Sequence, residues 1–159
     1  MDKFELLHML ESAFDDAHTI RSVDLLFDNK CQLEDCRRAI NIFNNKRWGE
    51  VKDSDLLFTE GVVYRLSDKA FSYYVASYLR WFVQDYANAD VMVDCVLSML
   101  TPPFSNGEVR LSWVEKRINY WSISQNNAIA KVLDYLADKQ GCYLSSQALD
   151  VFWEQYLTK

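Results

Sequence analysis

The sequence predicts an all-α or α-dominated fold, a compact bundle of about six helices around one central hydrophobic helix. The first observation is the segment 68–86, where six apolar residues recur at the spacing of one helix face: Phe71, Tyr74, Val75, Tyr78, Leu79 and Phe82. More apolar residues lie off that stripe, so the helix should be buried on several sides. The second observation is the scarcity of turn residues, with four Gly and two Pro in 159 residues. At most a minor β element is therefore expected.

The length and composition favour a single helical domain over residues 1–159, since half of the chain is hydrophobic. The net charge of -6 makes a nucleic-acid ligand unfavourable on electrostatic grounds. The acidity is uneven, because residues 1–60 hold 13 acidic and 8 basic side chains and carry most of the excess.

The charged N-terminal residues, Met1 to Glu5, do not fit a signal peptide. The longest uncharged run, 95–107, is too short for a bilayer span and is broken by two prolines. A cytoplasmic protein without membrane contact is therefore expected. Without an export signal, the four cysteines are predicted to be reduced, mostly buried thiols: Cys31, Cys36, Cys95 and Cys142.

In the N-terminal half, apolar spacing predicts helices over about 2–17 and 31–44. The first should bury Phe4, Leu7, Leu10, Phe14 and Ala17, and the second Leu33, Cys36, Ile40 and Phe43. Segment 18–30 is less regular, and within it 22–29 reads as a loop or a short helix. A helical turn is expected after Asp53 or Ser54. The β-branched run 62–66 predicts a short extended stretch.

In the C-terminal half, Ser67 or Asp68 should cap the central helix, and a fourth helix should begin at Asn88 or Asp90 and end before two prolines. Segment 104–121 is compatible with a short helix or a local strand pair. Ser122 and Gln125 have the spacing of a capping box for a helix that ends at Gly141. Ser145 is expected to cap the last helix.

No catalytic residue, metal ligand or cofactor site is predicted. The sequence has no CxxC, HxxxH or HExxH motif, and its only histidines are His8 and His18. A zinc site needs four convergent ligands, or three and a water. The four glycines are isolated, which excludes a phosphate-binding glycine loop. Asp94 and Asp134 have apolar neighbours, yet helical spacing turns both towards solvent, so a carboxyl with a raised pKa is not expected there.

The remaining candidate is an acidic surface in the N-terminal portion. One interpretation is an ordinary solvated surface that keeps the protein in solution. The other is a docking surface for a basic protein, whose charge would steer association and select the partner. Exposed aromatic residues would strengthen the second interpretation, and Trp48 and Phe58 could serve, or could belong to the core. The predicted partner-binding residues are Asp15, Asp16, Asp24, Asp28, Glu34, Asp35, Asp53 and Asp55.

Two stretches together resemble an uncharacterised family of small bacterial proteins. Residues 66–79, LSDKAFSYYVASYL, are similar to its signature L-[ST]-x-x-A/G-F-x-x-Y-L-P-A-Y/F-L. Residues 122–136 and 148–153 resemble its C-terminal half, F-T-x-x-Q-x-x-A-I-x-x-F-L-x-Y-L … A-L-x-x-Y-W. Val75 and Ala76 stand where the family has Leu-Pro, which predicts an unkinked central helix. In size and acidity its members resemble immunity proteins, which neutralise a cognate bacterial toxin by binding it.

The leading hypothesis is therefore an immunity- or antitoxin-like protein, not an enzyme, that occludes the active site of a basic toxin domain such as a nuclease. A second hypothesis is a structural or regulatory subunit whose partner surface is aromatic. A third is a small enzyme with an unrecognised site in a deep pocket beside Tyr73, Trp81 or Trp121. The sequence leaves the oligomeric state open.

Overall fold

In the computed structural model, which describes residues 1–15 and 19–157, the chain folds into helices with one small β-hairpin. This confirms the predicted α-dominated fold. The α-helices of the described residues are α1 Lys3–Ala13, α2 Ser22–Leu25, α3 Glu34–Phe43, α4 Asp53–Leu56, α5 Glu60–Val63, α6 Asp68–Gln84, α7 Tyr86–Ala89, α8 Val91–Leu100, α9 Leu111–Ile118, α10 Ile123–Gln140 and α11 Tyr143–Val151. Two 3₁₀ helices, Trp48–Glu50 and Trp153–Tyr156, complete the helical structure of that part of the chain.

Helix α6 is the centre of the molecule, as its apolar pattern predicts. Thirteen of its 17 residues are buried, and it runs without interruption from Asp68 to Gln84. The Ser67 side chain accepts a hydrogen bond from the backbone N–H of Ala70 and caps its start. Helices α1, α4, α8, α9 and α10 pack against it, and the buried apolar residues form one core cluster.

Polar groups on α6 hold the surrounding loops in place. Tyr74 donates to the backbone oxygen of Phe43 at 2.7 Å, and Ser77 donates to that of Trp48 at 2.6 Å. In the other direction, the Trp121 indole N–H donates to the Ser72 oxygen at 2.8 Å. Buried polar groups need such partners, so these bonds hold the connecting segments against α6.

Segment 104–121, for which the sequence allowed either a short helix or a strand pair, contains both. Strands β1 Phe104–Ser105 and β2 Glu108–Val109 pair antiparallel, and α9 follows. Asn106 and Gly107 both have positive φ, 54° and 81°, the turn geometry that closes a tight hairpin.

The prediction that Phe4, at the start of the first helix, lies on its buried face is wrong. Phe4 is 80% exposed, and α1 instead buries Leu6 and Leu10 with Phe14 just beyond its end. That set has a spacing of four, so α1 meets the core along a narrow line that leaves Phe4 outside. Ala17 lies outside the described residues.

The second predicted helix begins late, because α3 starts at Glu34 rather than residue 31. It buries Cys36, Ala39 and Phe43, whereas Leu33 and Ile40 are exposed.

The predicted extended stretch at 62–66 is also wrong. Val62 and Val63 belong to the short helix α5, where burial against α3 and α8 outweighs their β propensity. The only extended pairing there among the described residues is a single bridge between Leu26 and Leu66.

The predicted fourth helix is confirmed with Asp90 at its start: α8 runs from Val91 to Leu100, Asp90 is its N-cap with a φ of 44°, and the helix ends before the two prolines. One prediction about the last helix needs correction. Ser145 does not cap the last helix, because α11 already begins at Tyr143 and Ser145 is buried inside it. The predicted Ser122–Gln125 capping box and the left-handed Gly141 at the end of α10 are both confirmed.

Cys31 and Cys36 form a disulfide, which corrects the prediction of four reduced thiols. That prediction placed both residues on one helix, but Cys31 lies ahead of α3. The chain can therefore fold back and bring the two Cα atoms to 6.1 Å, within bridging range. Cys95 is half-buried, Cys142 is buried, and both are free thiols.

Candidate interaction surface

Two of the eight predicted partner-binding carboxylates are paired with basic side chains at the surface. Asp24 lies 3.0 Å from Arg21 and 3.3 Å from Lys69. The hydrogen bond from Arg21 holds the pKa of Asp24 below its usual value. Asp15 lies 3.4 Å from Arg47. These contacts offset much of the negative charge that the sequence assigns to this region.

Asp53 is paired with a basic side chain that is itself more buried, at 15% exposure. Its carboxylate lies 3.6 Å from Arg80, whose guanidinium also donates to the backbone oxygens of Gly49 and Val51 at 3.0 and 2.6 Å. Arg80 therefore holds the 3₁₀ helix Trp48–Glu50 against α6, and the Asp53 carboxylate balances the charge of its guanidinium. Asp16 lies outside the described residues.

The other four predicted carboxylates, Asp28, Glu34, Asp35 and Asp55, form no ion pair with any basic side chain among the described residues. Asp28 accepts a hydrogen bond from the backbone N–H of Lys30 at 2.9 Å, and Asp55 forms the equivalent contact to Lys52. Glu34 and Asp35 occupy the first turn of α3, where the helix dipole favours negative charge. Asp28 and Glu34 are exposed, so their charges are available to another molecule, whereas Asp35 and Asp55 are half-buried.

Helix α5 brings several of these residues together with exposed aromatic side chains. It packs against α3, and the Asp35 carboxylate lies so close to Gly61 that a Cβ atom there would collide with it. The backbone N–H of Phe27 donates to the oxygen of Arg65, just beyond α5, at 2.9 Å. We call the exposed and half-buried side chains around this helix the α5 surface. The exposed members are Phe27, Asp28, Glu34, Leu57, Phe58 and Tyr64, and the half-buried members are Asp35, Asp55 and Glu60.

The aromatic members of the α5 surface have little contact with the core. Phe27 is 81% exposed, Phe58 74% and Tyr64 53%. Trp48, the other aromatic residue considered from the sequence, is 6% exposed and donates its indole N–H to the Phe14 oxygen at 2.7 Å. Trp48 therefore belongs to the core, whereas Phe58 is presented to solvent.

Phe58 has a φ of 56°, in the left-handed region that bulky residues rarely adopt. The next residue, Thr59, is fully buried and fixes this conformation. Its hydroxyl donates to the Leu56 oxygen at 2.5 Å and lies 3.1 Å from the Tyr78 hydroxyl on α6. The loop is thus anchored from inside while its aromatic ring points outward. Outliers of this kind are concentrated at functional sites.

A basic groove of about 610 Å³ borders the α5 surface and shares Phe27 and Tyr64 with it. Within it Arg117 is engaged internally, since it lies 3.3 Å from Asp68 and its guanidinium stacks over the rings of Phe71 and Trp113. Burial lowers the pKa of Arg117. The remaining groove cations, Arg110 and Lys116, are exposed and mark the basic edge of the surface.

A second groove of about 520 Å³ lies between α1 and the first 3₁₀ helix, and it contains the chemistry closest to a catalytic arrangement. His8, Ser12 and Asp15 all line it. No hydrogen bond among the described residues joins His8 to Ser12 or to a carboxylate, so the residues do not form a nucleophile with its base. His18 lies outside the described residues.

In the described parts of the chain, no group of three or more His, Cys, Asp and Glu side chains is arranged to hold a metal ion. A deep pocket beside Tyr73, Trp81 or Trp121 would favour an enzyme. Trp81 and Trp121 are packed in the core, and Tyr73 lines a small pocket of about 200 Å³.

Comparison with known proteins places the chain in a family. The sequence profile of a family of unknown function, DUF6714, matches residues 2–157. The chain belongs to this family. No curated protein and no solved structure matches it. Membership in DUF6714 agrees with the resemblance to an uncharacterised family and assigns no activity.

In this DUF6714 protein, sequence reasoning found the carboxylates but missed Phe27, Leu57 and Tyr64. Phe27 follows two leucines that are buried, so in the sequence it reads as part of the same apolar run. Leu57 likewise follows the buried Leu56. The sequence did contain a signal for these three exposed residues. Each lies beside an acidic segment and just beyond the end of a helix that is too short to bury all of its apolar side chains.

No helix among the residues described is both long and apolar enough to cross a lipid bilayer.

Proposed function

We propose that this protein is a cytoplasmic, immunity- or antitoxin-like inhibitor that binds a basic toxin domain through the α5 surface. The observation that carries the proposal is Phe58, an exposed aromatic residue held outward by a buried anchor beside carboxylates without internal ion pairs. The activity is binding alone, and the protein contributes no catalytic group.

The two kinds of side chain on this surface have different roles in binding. Phe27, Phe58 and Tyr64 bury apolar area in pockets of the partner, and aromatic anchors of this kind carry most of the affinity of an interface. Asp28, Glu34, Asp35 and Glu60 attract the basic partner and increase its association rate. A complex of this type buries roughly 1,600 Å² in total.

Inhibition follows from where the carboxylates dock. In a nuclease, Lys and Arg side chains hold the substrate's phosphates, and carboxylates that occupy the same side chains exclude the substrate. The partner then loses activity without any covalent change.

The paired carboxylates contribute less than the sequence predicts. Asp15, Asp24 and Asp53 already contact cations of this chain, and a partner would have to displace those contacts. A role for Asp16 stays a prediction.

The test is co-expression with the product of the adjacent open reading frame in a bacterial host. The proposal predicts that this product is toxic alone and tolerated with the wild-type chain. Phe58→Ala, or the combined change Asp28→Asn, Glu34→Gln and Asp35→Asn, should restore toxicity. The matched controls are Phe4→Ala, an equally exposed Phe on α1, and Asp134→Asn with Asp150→Asn on α10 and α11, which should protect like wild type. A neighbour that is harmless alone, or variants that protect fully, would contradict the proposal.

A second candidate is a regulatory subunit that binds through the aromatic side chains alone. It is favoured by the internal pairing of Asp15, Asp24 and Asp53. Neutralising Glu34 and Asp35 separates the two candidates, because only the inhibitor model loses association rate.

A further inference from the structure

The Cys31–Cys36 disulfide joins two sulfur atoms in unequal surroundings. Cys36 is 2% exposed and lies in the first turn of α3, whereas Cys31 is half-buried in the turn that precedes the helix. We infer that this disulfide is a thiol-exchange site, and that an external thiol attacks it at Cys31. The inference stands independently of the proposed partner.

The backbone around Cys31 forms a turn at the surface, and Cys31 itself is half-buried. The Cys31 N–H donates to the Asp28 oxygen at 3.1 Å, and the Lys30 N–H donates to the Asp28 carboxylate at 2.9 Å. These bonds close a short surface turn whose neighbours, Gln32 and Leu33, are exposed. A small thiol can therefore reach Cys31 without opening the core.

The exchange proceeds in two balanced steps. A thiolate attacks the Cys31 sulfur, the S–S bond breaks, and its electron pair leaves with Cys36 as a thiolate. A second thiolate then attacks the external sulfur of the mixed disulfide and releases Cys31 as a thiolate. Two external thiols become one disulfide, and both protein thiolates take up protons from water.

The start of α3 stabilises the leaving sulfur. No side chain caps this helix, and its intrahelical bonds begin with the Arg37 N–H to the Leu33 oxygen. The backbone N–H groups of the first turn, which includes Cys36, therefore have no acceptor in the helix, and their partial positive charge favours a thiolate in this turn. Glu34 and Asp35 oppose this effect; Glu34 is exposed, and the half-buried Asp35 has its carboxylate against Gly61 of α5. The easier access to Cys31 and the greater stability of a thiolate on Cys36 thus both favour attack at the Cys31 sulfur.

The other cysteines differ from this pair. Cys142 is buried, and Cys95 is half-buried on α8; both are free thiols. Cys36 belongs to the buried core cluster and Cys31 packs against it, so reduction removes the covalent link between the turn and α3 at the edge of the core.

The primary experiment uses the folded wild-type protein. It is exposed briefly to reduced glutathione, quenched with acid, alkylated with N-ethylmaleimide and mapped by mass spectrometry. The inference predicts glutathione on Cys31 and maleimide on Cys36 in the same molecules. Glutathione found mainly on Cys36, or a disulfide that reacts only after denaturation, would overturn it.

Single-cysteine variants give an independent rate comparison. With oxidised glutathione, Cys36→Ser should be modified at Cys31 at least ~tenfold faster than Cys31→Ser is modified at Cys36, because the thiols differ in access. Circular dichroism establishes that both variants are folded, and if either is not, the wild-type map decides alone. Equal rates would count against attack at Cys31.

Discussion

Phe58 combines an exposed ring with a left-handed backbone. Replacing this residue should therefore stabilise the protein, whereas replacing most core residues destabilises it. Asn tolerates positive φ better than Phe does, so Phe58→Asn should raise the free energy of unfolding by up to ~1 kcal/mol. The same change removes the proposed anchor. Urea unfolding measures the effect.

The control for this variant is Phe4→Asn, which replaces an equally exposed Phe in a regular helix. It should change the unfolding free energy by no more than about 0.5 kcal/mol. A loss of more than ~1 kcal/mol in Phe58→Asn would mean that the ring packs against the protein, contrary to its exposed position.

Three tyrosines should resist ionisation while the protein is folded. Burial raises the pKa of Tyr74 and Tyr78, and a hydrogen bond with Cys142 raises that of Tyr86 to about 12. The folded state holds these protons after the unfolded chain has lost them, so their contribution to stability is complete below about pH 10 and decreases as the pH rises above it.

The ultraviolet absorbance of tyrosinate tests this directly. At about pH 11 the folded protein should show fewer ionised tyrosines than the nine in its sequence, and the remainder should ionise when the helices unfold. Ionisation of all nine near pH 10, with the helical circular dichroism intact, would contradict the burial of Tyr74 and Tyr78.

Among the elements, those with long apolar patterns were predictable and the short ones were not. The 17 residues of α6 and the 18 of α10 carry several turns of periodic sequence and recognisable caps at Ser67 and Ser122. Helices α2, α4, α5 and α7 have four residues each, too few for a period. Contacts with the rest of the fold determine them, as with Val62 and Val63 in α5.

The candidate site was predictable in composition but not in arrangement. The sequence shows that the N-terminal third is acidic, yet it cannot show that Asp53 meets Arg80 on α6 or that Asp24 meets Lys69. Such pairs join distant parts of the chain and depend on the completed fold. The Cys31–Cys36 bond was missed for a related reason, since it depends on where α3 begins.

The glycine that ends α10 leads to a prediction about the stability of this helix. Gly141 has a φ of 64° and donates its N–H to Leu136, so Gly141→Ala should lower the unfolding free energy by about 1 kcal/mol through left-handed strain. Gly49→Ala is the matched control, because neither residue's added Cβ meets an atom within 4 Å and Gly49 has no positive φ. Equal losses in both variants would contradict the capping role.

For the whole molecule, the distribution of charge predicts how association depends on salt. The carboxylates of the α5 surface are exposed (Asp28 and Glu34) or half-buried (Asp35, Asp55 and Glu60), so their attraction for a partner acts largely through solvent and is screened by salt. The association rate with a basic partner should fall at least ~tenfold between about 50 and 500 mM salt, with a much smaller change in dissociation rate. Stopped-flow fluorescence separates the two rates, and an association rate independent of salt would contradict electrostatic steering.

The central claim is that the protein acts by binding another protein through the α5 surface. Its most direct test is the affinity of the purified chain for the product of the adjacent open reading frame, measured by calorimetry with wild type, Phe58→Ala and the control Phe4→Ala. The account predicts a one-to-one complex that Phe58→Ala weakens by at least ~2 kcal/mol and that Phe4→Ala leaves unchanged. No complex with the wild-type chain, or equal affinity in all three proteins, would contradict it.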